Sequence, residues 1–322
     1  MNHLTRRSFG LGAGAFGLAA CADNRIAEAP KEEPRGGIGG TGIVGVLTEF
    51  GSLIVNGRRV EVDASTEIRG LLGPLSEDDL AIGQALSIEA AAEKGGLTAR
   101  RVLVADPLIG RVERVSPETR SFEICGVRVN LGADAGGLPG GSDWVAVSGL
   151  WNGVEVVASR VSPSRPGVSA VSGDVRRDAA SGVRIGTARI EVEGPGAAPE
   201  DGVFAIARGG YAEGVVKAEA FEIGRFTGAA GPLERLAVEG YLDPVPTAPF
   251  YRVSGLGHSF DADASLSAFV GERTLFEGPY KDAFAVETGL PLPRDAGARA
   301  RLLRSLLKGG PAPETMRRAR RP

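Results

Sequence analysis

The sequence predicts an all-β protein of small five-stranded barrels in tandem, ended by one short helix. Three observations carry this. The first is a hairpin, Leu53-Ile54-Val55-Asn56-Gly57-Arg58-Arg59-Val60-Glu61-Val62, two alternating runs around Asn-Gly. Asn-Gly is the preferred filling of a type I′ turn, because both central residues need positive φ. The register then sets Val55 opposite Arg58 and Leu53 opposite Val60. The second is repetition: the same spacing returns around Cys125-Gly126, around Gly186-Thr187 and, more weakly, around Ser254-Gly255. The third is the 48 glycines among 322 residues. That is about twice the usual share, and they fall between apolar alternations, where turns are needed.

Taken in order, each unit opens with glycine and a β alternation: Gly45-Val46-Leu47, Gly110-Arg111-Val112, Gly173-Asp174-Val175 and Gly240-Tyr241-Leu242, at intervals of 65, 63 and 67 residues. After the hairpin a fourth strand is expected from Gly83, Gly141, Gly202 and Gly271. A fifth is expected over Leu97–Val104, Val154–Val161, Val215–Ile223 and Ala283–Val286. Five short strands separated by turn signals suit a small barrel, and closure removes adhesive edges. The units are placed at 42–106, 107–166, 167–227 and, degenerate, 228–293. A unit of about 60 residues buries only about 60% of its chain surface and is marginal alone. Neighbours are therefore expected to pack as a beaded or curved array, with Asp106-Pro107 and Ser162 to Gly167 as linkers.

Residues 1–20 read as an export signal: Thr5-Arg6-Arg7-Ser8-Phe9 supplies a basic start and Gly10 to Ala20 an apolar run too short to span a bilayer. Arg6 and Arg7 resemble a twin-arginine signal. Leu18-Ala19-Ala20-Cys21 resembles a bacterial lipobox, which implies that Cys21 is acylated and becomes the mature N-terminus. Residues 21–41 then form a flexible tether, and the expected address is a membrane-anchored lipoprotein of the periplasm, with the outer-membrane inner leaflet favoured. Gly37 to Gly42 satisfies G-x-G-x-x-G, but it follows no strand and opens no helix, so no nucleotide site is assigned. With Cys21 acylated, Cys125 has no disulfide partner and stands at a turn tip.

The repeated patterns Gly-x-Val, Phe-x-Ile-x-Gly-Val-x-Val, Gly-x-x-Val-x-Val and a final Ala-x-x-Val resemble the bacterial family called domain of unknown function 5666, which recurs in tandem in exported proteins. The resemblance covers Gly42 to about Ile223 well and Tyr241 to Thr288 poorly. It implies small barrels similar to an OB fold and carries no known catalytic residues.

Residues that could do chemistry are few. After signal removal one histidine remains, His258, at a position aligned with the inward Val60, Val129 and Ile190. One His and one Cys make neither a four-ligand zinc site nor a hydrolase triad without another base. Asp63, Asp261 and Asp263 follow hairpins without the spacing of a calcium loop. No cofactor or metal is expected. Trp144 and Trp151 stand seven residues apart on one strand; Trp151 shares its parity with Val145 and Val147 and reads as core. Trp144 is the candidate for ligand or partner contact, together with His258.

The body from Cys21 to Pro293 carries 26 basic and 38 acidic side chains, which opposes nucleic-acid binding. Leu302, Leu303, Leu306 and Leu307 recur at helical spacing within Ala296 to Lys308, and Gly309-Gly310-Pro311 stops the pattern before a basic end. Residues 294–322 are therefore an amphipathic helix capping the last unit, plus a tail. The function expected is a non-enzymatic binding or scaffolding module held at a membrane by its lipid, with an envelope protein or a glycan as partner. The alternatives are a carboxylate-dependent glycan-processing enzyme, for which Asp263 or Glu272 would serve, and an OB-like binder of oligonucleotides or oligosaccharides.

Overall fold

In the computed structural model, residues 39–93, 95–133, 135–178, 182–192, 199–246, 250–257, 266–281, 283–308 and 317–318 are described. The opening hairpin has the predicted register: in β1 (Gly40–Glu49), β2 (Leu53–Val55) and β3 (Arg58–Glu61), Leu53 faces Val60 and Val55 faces Arg58. Asn56 and Gly57 take φ of 56° and 69°. Two short strands follow, β4 (Glu67–Gly70) and β5 (Gly73–Pro74), then a second hairpin of β6 (Ala85–Glu93) and β7 (Gly96–Val104). β6 returns antiparallel to β1 and β7 runs parallel to β3, which closes a five-stranded barrel in the order first, second, third, fifth, fourth.

The same circuit closes twice more. β8 (Leu108–Ser116), β9 (Ser121–Ile124), β10 (Val127–Leu131), β11 (Trp144–Asn152) and β12 (Glu155–Pro163) make barrel two. β13 (Ser169–Asp178), β14 (Gly182–Ile185), β15 (Ala188–Val192), β16 (Phe204–Ala212) and β17 (Val215–Ile223) make barrel three. This is an OB-like arrangement. Alternate residues such as Leu53, Val55, Val60, Ile88 and Val102 fill the first interior, and their counterparts fill the others.

The glycine that opens each unit is explained by the hairpin folded over it. A side chain at Gly45 would overlap Asn56; at Gly110 and Gly173 a Cβ would stand 2.8 Å from Ile124 and from Ile185. A second glycine lies opposite a bulge in the fifth strand, where Ser159 is the extra residue across from Ser148 and Gly149, and Glu219 the extra residue across from Arg208 and Gly209. There any Cβ would overlap the carbonyl of Val157 or Lys217. The bulge bends the fifth strand round the barrel.

Residues 228–293 depart from this plan. β18 (Leu233–Gly240), β19 (Leu242–Pro244) and β20 (Tyr251–Val253) supply first and second strands, and β21 (Thr274–Pro279) a fourth. The fifth, expected at Ala283–Val286, has its ladder at β22 (Thr288–Pro291), because the chain turns irregularly through a Tyr280–Phe284 bridge before Thr288 regains register with Glu277. Among the described residues no circuit closes here. The free side of β18 pairs instead with β1, parallel. Helix α1 (Ala296–Leu307) is capped by Asp295, whose carboxylate accepts from the Ala298 amide at 2.7 Å. Its buried Leu303 packs on Ala237, Leu275, Leu290 and Leu292. β23 (Arg317–Arg318) pairs with β22.

The units do not form a beaded array. Residues 37–322 are one compact unit. β1 pairs with β18, β8 with β13, and a shared core of Leu71, Leu103, Ile109, Ala170, Phe204 and Ile206 joins barrels one, two and three. Closed barrels leave strand ends protruding, and pairing these ends satisfies their backbone groups while burying the marginal units against each other.

Candidate binding groove

Barrels two and three face each other across an approximate two-fold axis. Leu108 of β8 pairs antiparallel with Val171 of β13, which is its own counterpart, and Ile109 pairs with Ala170. The registers then match Trp151 with Tyr211, Trp144 with Phe204 and Arg111 with Asp174. Each aromatic two residues after the bulge reaches the opposite barrel. Trp151 Nε1 donates to the Ser172 carbonyl at 2.8 Å, and its ring covers Gly186. Tyr211 Oη donates to Glu113 at 3.0 Å, and the other oxygen of that carboxylate accepts from the Gly126 amide at 3.0 Å. Burial first, then the adjacent Glu113 carboxylate, pushes the Tyr211 hydroxyl well above the ordinary phenol range.

On one side of the axis the concavity is filled by the chain itself. The turn after β20 lies on Trp151, so that a side chain at Gly255 would overlap the indole. Gly255 donates its amide to Asp174 at 3.0 Å, and Arg252 stands 3.6 Å from the same carboxyl group. From the preceding linker the Arg225 guanidinium lies 3.9 Å above the Phe204 ring and donates to Ser87 Oγ at 2.7 Å and to the Gly255 carbonyl at 3.2 Å. Desolvation lowers its pKa to about 9, so the cation depends on that stacking and on the nearby Asp174.

On the other side the matching concavity is open. Trp144, half-buried, lines a groove of about 520 Å³ with Arg111, Glu113, Ser142, Ser169 and Tyr211. It offers an aromatic face, a guanidinium and hydroxyls on rigid strands, a set suited to holding a turn or a flat polar group. Arg111 stands where Asp174 stands on the filled side, so the charge read by an occupant is reversed.

The other predicted positions do not converge. Arg6, Arg7, Cys21, His258, Asp261 and Asp263 lie outside the described residues. Asp63 is exposed in a local turn, accepting from the Ser65 amide at 2.8 Å, and Glu272 is exposed on the edge of the fourth unit. Among the described residues no group of three His, Cys, Asp or Glu comes together as a metal site, and no helix is long and apolar enough to cross a membrane. Cys125 is 1% exposed, because the hairpin tip folds back on Gly110; burial pushes its thiol up to about 12. Trp151 is buried as expected, in one core cluster with Val145 and Val147, and its ring lies against barrel three and the fourth unit. Sequence reading missed Tyr211, Arg111 and Glu113. The signal for Tyr211 was its place after Gly209, matching Trp151 after Gly149.

Residues 41–102 match the family described as Domain of unknown function (DUF5666). The DUF5666 match begins in β1 and ends within β7, so it spans nearly the whole closed circuit of barrel one. Comparison with the curated proteins found no match, and comparison with the solved structures found none.

Proposed function

We propose that this chain is an exported, lipid-anchored protein of the bacterial envelope, that residues beyond the DUF5666 match are further copies of that domain, and that the assembly is a non-enzymatic binding module. Its working surface is the Trp144 groove and its occupant is a β-turn of a partner protein. The observation that carries this reading is the two-fold relationship. The same concavity, built from the matching strands, already holds a β-turn where Gly255 rests on Trp151 beside the Arg225–Phe204 stack. A groove shaped by identical strand geometry suits an occupant of the same kind, with an acidic group for Arg111.

A photo-crosslinking side chain placed at position 144 of the membrane-anchored protein tests this against the same group at Val154, which is exposed on barrel two. The expected result is a discrete protein adduct from position 144 alone, lost on Arg111→Glu. Equal labelling from both positions, or no protein adduct from 144, overturns the reading. The anchor is tested separately by the intact mass of membrane-extracted protein: cleavage before Cys21 with an acyl adduct, absent from Cys21→Ala, is the expected outcome.

A further inference from the structure

Barrel one carries a hairpin that its neighbours lack. Between its third and fourth barrel strands the chain adds β4 and β5, and among the described residues no strand stands at the corresponding place in barrels two and three. The addition is anchored on both sides of its turn: Leu71 is buried in the core shared by the three barrels, and Leu75 packs on the interior of barrel one. Leu72, between them, is left 44% exposed. On the other side the end of β12 and the linker after it supply Arg160, Ser162 and Arg165. The two sides and Asp106 enclose a cleft of about 530 Å³.

Four charged side chains line the cleft, two of each sign. Asp79 is turned to its own loop, where it accepts from the Ser76 amide and hydroxyl, both at 2.8 Å. Asp106, 7% exposed, accepts from the Ser148 hydroxyl through Oδ1, and its Oδ2 has no partner among the described residues. Arg160 is fixed by bonds from Nε to Ser162 Oγ at 2.9 Å and from Nη1 to the Ile82 carbonyl at 3.3 Å, and its Nη2 is left without one. Arg165 is exposed and makes no hydrogen bond or ion pair among the described residues. Asp106 feels the Arg160 charge, yet the two do not pair. A buried carboxylate with an idle oxygen is costly. An ion of either sign would satisfy one of these groups and be repelled by the other. An occupant with both charges and an apolar part satisfies Asp106, Arg160 and the leucine wall together, and a volume above about 300 Å³ suits a small molecule.

We propose that this cleft binds a zwitterionic amino acid or short peptide with an apolar side chain: its ammonium donates to Asp106, its carboxylate accepts from Arg160 and Arg165, and its side chain lies on Leu72 and Leu75. The cleft shares no lining residue with the Trp144 groove, and the proposal stands whether or not the readings of that groove and of the lipid anchor hold.

The test is calorimetric titration of the full-length Cys21→Ala protein with leucine and with leucyl-leucine, each also in an N-acetylated form that lacks the ammonium and an amidated form that lacks the carboxylate. At least one zwitterion is expected to bind, and each blocked form of it to bind about tenfold or more weakly, as loss of a charge-assisted contact does. In Asp106→Asn the preference for the free ammonium over the acetylated form is expected to vanish, with no fall in melting temperature in the absence of probe. In Arg160→Gln the preference for the free carboxylate over the amide is expected to shrink in the same way; the blocked probes on the unsubstituted protein read the same contacts should that variant fail to fold. No binding of either zwitterion, binding that survives loss of either charge, or an Asp106→Asn protein that keeps the ammonium preference overturns the proposal.

Discussion

Trp151 of barrel two occupies the space that a side chain at Gly186 of barrel three would need. Gly186 has φ 58°, and a Cβ there would overlap the six-membered ring of the indole. The indole also takes over a bond that the tip makes elsewhere: Asn56 Nδ2 donates to the Val44 carbonyl at 2.8 Å, whereas the matching Ser172 carbonyl accepts from Trp151.

Gly186→Ala should therefore separate barrel three from barrel two. Overpacking and a left-handed alanine together cost about 2–4 kcal/mol. Gly182→Ala is the control, because its φ is 74° but none of the described residues comes within 4 Å of its Cβ position; it should cost only about 1 kcal/mol. Urea unfolding midpoints of the two variants measure the difference.

Glu89 is buried in β6 and accepts four hydrogen bonds from the linker after barrel three: the Thr227 amide and hydroxyl, the Gly228 amide and the Ala229 amide, at 2.7–2.8 Å. Arg101 stands 3.6 Å away and also faces Glu222, which pairs with Arg69 at 2.8 Å and with Arg208. Glu89→Gln removes the charge that these amides and Arg101 converge on, and should cost about 3 kcal/mol. Hydrogen exchange at Gly228 and Ala229 should accelerate more than exchange within barrel two; equal changes would show that the carboxylate does not hold the linker.

Asp106, in the linker between barrels one and two, is buried beside Ser148, whose hydroxyl donates to it. Desolvation raises its pKa from 3.8 to about 6. The folded state thus binds a proton more readily than the unfolded chain, and stability falls as pH rises from about 4 to about 6. Above that range the cost of the buried carboxylate is fully present, about 2–3 kcal/mol at most for a shift of this size. Asp106→Asn should flatten this part of the stability profile, measured by urea unfolding at successive pH values.

Cys125 should be inert in the folded protein. Its thiol is buried and pushed up to about 12, so little thiolate exists at neutral pH and little surface admits a reagent. Alkylation at pH 8, located by mass spectrometry, should leave Cys125 unmodified without denaturant and modified fully in it.

Much of the barrel plan was legible because it rests on local rules. Asn56-Gly57 prescribes its turn, the alternation around it fixes register, and Leu302 to Leu307 repeat at helical spacing; each depends on residues near in the chain. The fifth strand of the last unit was misplaced because Pro279 and the Tyr280–Phe284 bridge delay the ladder, which alternation alone does not reveal. In the groove, Trp144 was legible as an aromatic outside its barrel's interior pattern. Arg111, Glu113 and Tyr211 were not, since their relation to Trp144 depends on how two barrels face each other.

By itself the sequence determined the five barrel strands of the first three units, their hairpin turns and the glycines at which a hairpin must lie close to its own first strand, because these follow from φ preferences and side-chain alternation within tens of residues. Only the tertiary structure decided that β8 meets β13, that β1 meets β18, and that Arg225 and Gly255 fill one concavity while its counterpart at Trp144 stays open. Those outcomes depend on which protruding strand ends find each other and on which buried charges are thereby paired, quantities set by contacts between units far apart in the chain.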